Sequence, residues 1–178
     1  GEVSIAGSCS EGDVDFNGTN VPEEIDDYNN YAVKYTATGE YIWHHFTLDV
    51  TCMDPEVILA DDGTTYLANA VNINTTLGSF ELESSAWVYS FFASLIGLNG
   101  EVLWVQQPSP FGESIGDASL ATGKSLIEWN GDILIGGFTR GFQDWGNSFT
   151  SELDVLGPSL FLNRIDDMGN TVNLVLSD

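Results

Sequence analysis

Tyr31-Ala-Val-Lys-Tyr-Thr-Ala-Thr-Gly39-Glu-Tyr-Ile-Trp43 is an apolar run, a turn carrying glycine, and a second apolar run that ends in tryptophan. The pattern returns as Tyr89-Ser-Phe-Phe-Ala-Ser-Leu-Ile-Gly-Leu-Asn-Gly100-Glu-Val-Leu-Trp104, and in weaker form as Leu160-Phe-Leu-Asn-Arg-Ile-Asp-Asp-Met-Gly169-Asn-Thr-Val-Asn173. Each copy reads as a β-hairpin, since glycine tolerates the positive φ that a tight turn demands. A second signature, Gly1-Glu-Val-Ser-Ile-Ala-Gly7, recurs as Gly63-Thr-Thr-Tyr-Leu-Ala-Asn69 and Gly131-Asp-Ile-Leu-Ile-Gly-Gly137. Copies of a unit at long period predict one supersecondary module repeated along the chain. Placing the boundary at each leading glycine gives repeats 1–62, 63–130 and 131–178.

Inside the first two repeats the order is the same. A Gly-led strand leads to a polar connection, then to the hairpin at Gly39 or Gly100, then to a last strand over Glu56 to Ala60 or Ser125 to Trp129. About four strands per repeat is the make-up of one propeller blade. The third repeat stops after its hairpin. The expectation is an all-β chain of three propeller-blade-like antiparallel sheet repeats, the last one truncated. Dense apolar runs at Trp87 to Leu95 and Leu126 to Ile135 predict strands covered on both faces. Ala118 to Leu126 is the best short helix candidate, and no amphipathic stretch reaches the length of an ordinary helix.

Gly131-Asp-Ile-Leu-Ile-Gly-Gly-Phe138, Val14-Asp15-Phe16 and Lys34-Tyr35…Gly39-Glu-Tyr-Ile-Trp43 together resemble the β-propeller repeats of secreted and surface-anchored bacterial proteins. The likeness runs over nearly the whole chain. It departs from the family pattern in its longer repeats, in their low number, and in Asn173 where a tryptophan belongs. The resemblance implies a β scaffold outside the cell or on its surface, and implies no catalytic residues. Propellers close with about four to eight blades, and an unclosed end leaves a bare sheet edge. Four arrangements meet that need: the chain is part of a larger protein, two or more copies complete one closed ring, a neighbouring copy fills the vacancy by strand complementation into a closed oligomer or a filament, or the strand at Gly1 to Ala6 pairs with the other end.

The charge balance narrows the partners. Four Lys and Arg face 27 Asp and Glu, for a net charge of −23. Such a chain repels phosphate backbones and anionic membrane surfaces, which argues against nucleic acid and against membrane binding. No apolar run is long enough for a membrane helix. Cys9 and Cys52 are too few for a zinc site and are read either as one disulfide, suiting an exported protein, or as two buried thiols. Asn17 and Asn74 sit in N-glycosylation patterns.

Asp13-Val-Asp15-Phe-Asn17-Gly18-Thr19-Asn-Val-Pro-Glu-Glu24 has the oxygen spacing of a calcium loop. Asp13, Asp15 and Asn17 would converge on the cation, Thr19 would offer its carbonyl, and Glu24 would close the site. The plain alternative is a solvated acidic turn. His44 and His45 are adjacent on a predicted strand and so point to opposite faces, unable to chelate one metal. Gly112-Glu-Ser-Ile-Gly116 matches a nucleophile elbow in form alone, with both histidines far off in another repeat. Trp87, Trp129, Phe142, Trp145 and Phe149 lie near loops or strand ends, where they would stack on a sugar or a partner, or else fill the core. The expected function is a non-enzymatic structural or adhesive module acting outside the cell. Its rival is a carbohydrate- or protein-binding module with bound calcium; a hydrolase using two carboxylates comes last.

Overall fold

A computed structural model of the chain describes residues 1–10, 15–20, 28–49, 55–84, 89–110, 120–153 and 157–177. The described residues form strands and turns without a helix. Three large antiparallel sheets dominate. The N-terminal sheet has the order β1 (Val3–Ser10), β4 (Tyr28–Tyr35), β5 (Tyr41–Asp49). The middle sheet runs β6 (Glu56–Leu59), β7 (Thr65–Val71), β10 (Ser90–Ile96), β11 (Val102–Gln106). The C-terminal sheet runs β13 (Leu120–Trp129), β14 (Asp132–Arg140), β17 (Ser159–Ile165), β18 (Thr171–Leu176). Small outlying hairpins interrupt each one: β2 (Asp15–Phe16) with β3 (Thr19–Asn20), β8 (Thr75–Leu77) with β9 (Phe80–Leu82), and β15 (Phe142–Asp144) with β16 (Thr150–Glu152). The short strand β12 (Ser109–Pro110) adds to β15.

The quoted hairpins repeat in atomic detail. Gly39, Gly100 and Gly169 take φ of 81°, 91° and 85°, a region closed to most side chains. Their amides donate to Thr36, Gly97 and Asp166 carbonyls at 3.0, 3.2 and 3.0 Å. A β-bulge precedes each turn at the corresponding place, between Lys34 and Tyr35, Leu95 and Ile96, and Arg164 and Ile165. Equal local sequence has produced equal local structure.

The middle sheet is sandwiched. Every residue of β7 is buried, and β10 is buried from Phe91 to Ile96, in line with its dense apolar run. Leu67, Val71, Phe92 and Ile96 pack towards Ala32 and Trp43 of the N-terminal sheet, joined by Leu77 and Leu82 of the β8–β9 hairpin. Tyr66, Phe91, Ala93 and Leu95 pack on the other side against Leu126, Ile133, Ile135 and Phe161 of the C-terminal sheet. Burying each large apolar side chain contributes about 1.5–3 kcal/mol, so these two seams carry most of the stability.

A tryptophan sits across each seam. A Cβ on Gly100 would lie 2.7 Å from Cβ of Trp43, and one on Gly169 would lie 2.8 Å from the Trp104 ring. Trp104 also donates from Nε1 to the Asp167 carbonyl at 3.0 Å, and His45 donates from Nε2 to the Gly100 carbonyl at 2.7 Å. Both seams thus seat an indole from one sheet on the turn glycine of the next. Lys34 crosses the first seam as well: its buried ammonium meets the Gly63 carbonyl and Glu2, the latter at 2.6 Å.

Two expectations need correction. β6 and β13 were expected to end the first and second repeats, yet each pairs with the Gly-led strand that follows it, β7 and β14. The reason is local: Asn130 and Gly131, at φ 53° and 86°, form a hairpin turn, and such a turn joins the strands it separates. The large sheets therefore span 3–49, 56–106 and 120–176, and the C-terminal sheet has all four strands while the N-terminal sheet has three. Within 131–178 the strands do stop after the β17–β18 hairpin, and it is β13, from 120–129, that brings the C-terminal sheet to four. β1 pairs with β4 and β18 with β17, so the two ends do not pair with each other, and the sheets do not close into a ring.

Candidate functional site

The C-terminal sheet buries one face and bares the other. Along β14 burial alternates, with Ile133, Ile135 and Gly137 inside and Phe138 outside. The pairings Ile127↔Leu134, Phe138↔Leu160 and Leu162↔Val175 bring the outward residues side by side. Ile127, Phe138, Leu160, Leu162 and Val175 are between 41% and 59% exposed, and the last four of these line a shallow depression of about 510 Å³. Exposed apolar side chains gathered on one sheet face mark a candidate contact surface. At its margin the Arg164 guanidinium stands 4.9 Å from the Trp129 ring centroid and Nε donates to Asp132 at 2.5 Å. Asp132 and Arg164 thereby neutralise each other, and the indole face takes the cation.

The N-terminal sheet has an open face of its own. Val3 and Ile5 on β1 are 48% and 44% exposed, and Tyr31 and Tyr35 beside them are half-buried. The β2–β3 hairpin covers part of this face. Phe16 lies over Tyr31, His44 and Phe46 at centroid separations of 5.1, 5.6 and 5.7 Å. His44 is hydrogen-bonded through Nδ1 to the Tyr41 hydroxyl at 2.8 Å. His44 and His45 do project to opposite faces, one under Phe16 and one at the first seam. Burial holds both imidazoles below their ordinary pKa; the neighbouring His45 adds to this at His44, while the Gly100 carbonyl partly offsets it at His45.

Neither a protein-family model nor a curated protein matches this chain. The reading of the site rests on its own geometry.

Of the calcium-loop residues, Asp13 and Glu24 lie outside the described residues, and Thr19 is described in backbone alone. Asp15 and Asn17 belong to a tight hairpin in which Asp15 pairs with Asn20 and Phe16 with Thr19. The Asp15 carboxylate accepts the Gly18 amide at 2.6 Å, which caps the turn. Among the described residues no group of three or more His, Cys, Asp or Glu is placed to hold a metal ion. Cys9 is buried on β1, and Cys52 lies outside the described residues, as do Trp87 and Gly112 to Gly116. Asn17 is exposed in its turn; Asn74 is exposed and accepts the Ser84 amide through Oδ1 at 2.8 Å.

The loop aromatics divide. Trp129 stays at the surface, and Phe142 and Phe149 are half-buried. Trp145 is wholly buried, its ring 4.8 Å from Phe161 and its Nε1 donating to Ser151 at 3.1 Å. It fills the core because the β15–β16 hairpin folds back onto the second seam, so a ligand cannot reach it. The open apolar face escaped the sequence reading, although its signal was present. A run such as Leu126 to Ile135 is apolar on both strand faces, and among the described residues no sheet covers one of those faces.

Proposed function

We propose that this protein is a non-catalytic structural or adhesive β-repeat module that acts at the cell surface or outside the cell. Each large sheet is one propeller-blade-like unit, and the unit is the device. The observation that carries this reading is the twice-used seam in which an indole from one sheet rests on the turn glycine of the next. A chain assembled from copies of one stacking unit is built to present extended surface. Its acidity, at −23, suits a solvated exterior and argues against nucleic acid as a partner. The test is adhesion: beads bearing the chain should be retained on matrix protein, mucin or bacterial cell-wall coatings beyond albumin-coated beads. Retention equal to albumin on every coating sinks the adhesive reading.

One observation favours a second reading, a glycan-binding module with bound calcium. Trp129 is 48% exposed and carries the Arg164 guanidinium, a pairing suited to a sugar ring and its hydroxyls. A glycan array probed with and without calcium tests it, and Trp129→Ala should abolish any signal.

A further inference from the structure

The two open faces are not equivalent to each other; they are opposite halves of one joint. Aligning Gly39, Gly100 and Gly169 places Tyr31, Phe92 and Phe161 at one repeat position and Ala32, Ala93 and Leu162 at the next. Phe161 points back to the middle sheet and Phe92 back to the N-terminal sheet, whereas Ala32 and Ala93 point forward to the sheet that follows. By the same alternation Tyr31 lies on the backward face of the N-terminal sheet, and Leu162 on the forward face of the C-terminal sheet. The chain joins a forward face to a backward face twice within itself. Among the described residues, one face of each kind remains without a facing sheet.

We infer that these two faces join head to tail between copies of the chain, the C-terminal sheet of one molecule stacking on the N-terminal sheet of another. This rests on the repeat-module reading above. The occupant is a second copy because the contact continues a seam the molecule already makes twice, with the same strand positions on each side. Electrostatics agree: a chain of net charge −23 leaves Val3 and Ile5 on one face and Ile127, Leu160 and Leu162 on the other, with Asp132 neutralised by Arg164. Stacking, rather than strand addition to the C-terminal sheet, is the mode, because that sheet already has its four strands. Three large sheets per chain make six in a pair, inside the range of about four to eight that closes a propeller. A two-chain species is therefore the expected end-point.

One repeat position marks the new joint as weaker than the two inside the chain. Gly39 has nothing within 4 Å of the place where a Cβ would stand, so its seat is empty. Asn173 occupies the repeat position of Trp43 and Trp104. A stacked copy would set Asn173 over Gly39, where the internal seams set an indole.

Sedimentation velocity over a dilution series tests the inference at about 0.5 M NaCl, where screening shortens charge repulsion to a few ångströms. The expected result is a concentration-dependent doubling of mass. Leu162→Asp and Ile5→Asp, both at exposed positions and checked for folding by circular dichroism, should each leave the chain monomeric. Mixed together they should recover one joint and give a one-to-one pair, since each retains the face the other lacks. Asn173→Trp should tighten association by about tenfold. A monomer at every concentration overturns the inference. So does a mixture of the two variants that stays monomeric, an Ile5→Asp chain that still pairs with itself, or a folded Asn173→Trp chain with unchanged affinity. Beads that adhere while the free chain stays monomeric would overturn the joint and leave the module reading standing.

Discussion

At Gly100 and Gly169 a hydrogen atom in place of a methyl group decides whether two sheets meet. Alanine there would have to hold a strained positive φ and displace an indole at under 3 Å, whereas alanine at Gly39, with φ of 81° and open space around it, meets the strain alone. Gly100→Ala and Gly169→Ala should each cost about 3 kcal/mol in urea unfolding, against about 1 kcal/mol for Gly39→Ala. Equal costs at the three positions would show that the indole seats contribute nothing. His44 and His45 each contribute to acid sensitivity. With both pKa values lowered in the folded chain, the unfolded chain binds protons more readily. Stability is therefore full above about pH 6.5 and falls as the pH drops through the window beneath it, before ordinary carboxylates begin to titrate. His45→Gln keeps a donor for the Gly100 carbonyl and removes one titrating group. A melting series between pH 5 and pH 7.5 should show a flatter slope for that variant.

Among the elements, β7 pairs a structural role with a local cost. Asn69 lies on β7 between Leu67 and Val71, buried on the side facing the N-terminal sheet, and among the described residues neither atom of its side-chain amide has a partner within hydrogen-bonding distance. Leucine is similar in volume and needs no partner, so Asn69→Leu should raise stability by about 1–2 kcal/mol, a gain of a few degrees in Tm. A fall in Tm would mean that the amide is satisfied and useful. The hairpins themselves were legible from sequence, because Asn-Gly, Asp-Gly and the glycines at 39, 100 and 169 state their turn requirement locally. Opposed histidines on β5 were legible for the same reason, strand alternation. Repeat phase was not. A leading glycine marks the middle of a hairpin as well as it marks a beginning, so β6 and β13 were attached to the wrong sheets. Burial at Trp145 is also hidden in the sequence, since part of its cover, Phe91, arrives from β10, far away in sequence.

Across the whole molecule, charge and shape pull against each other. A net charge of −23 strains any compact state through self-repulsion, and salt relieves it. Tm should therefore rise by several degrees between low salt and about 0.5 M NaCl, as read by differential scanning calorimetry. A flat or falling trend would place the repulsion equally in the unfolded chain. The stack is layered, the middle sheet protected on both sides and each outer sheet on one, so the outer sheets should loosen first. That layering gives the chain a gauge of its own. Trp43 guards one seam and Trp104 the other, and an indole that leaves its seat for water shifts its emission to longer wavelength. Subtracting spectra of Trp43→Phe and Trp104→Phe from that of the parent chain would report, without any added label, which layer peels away first.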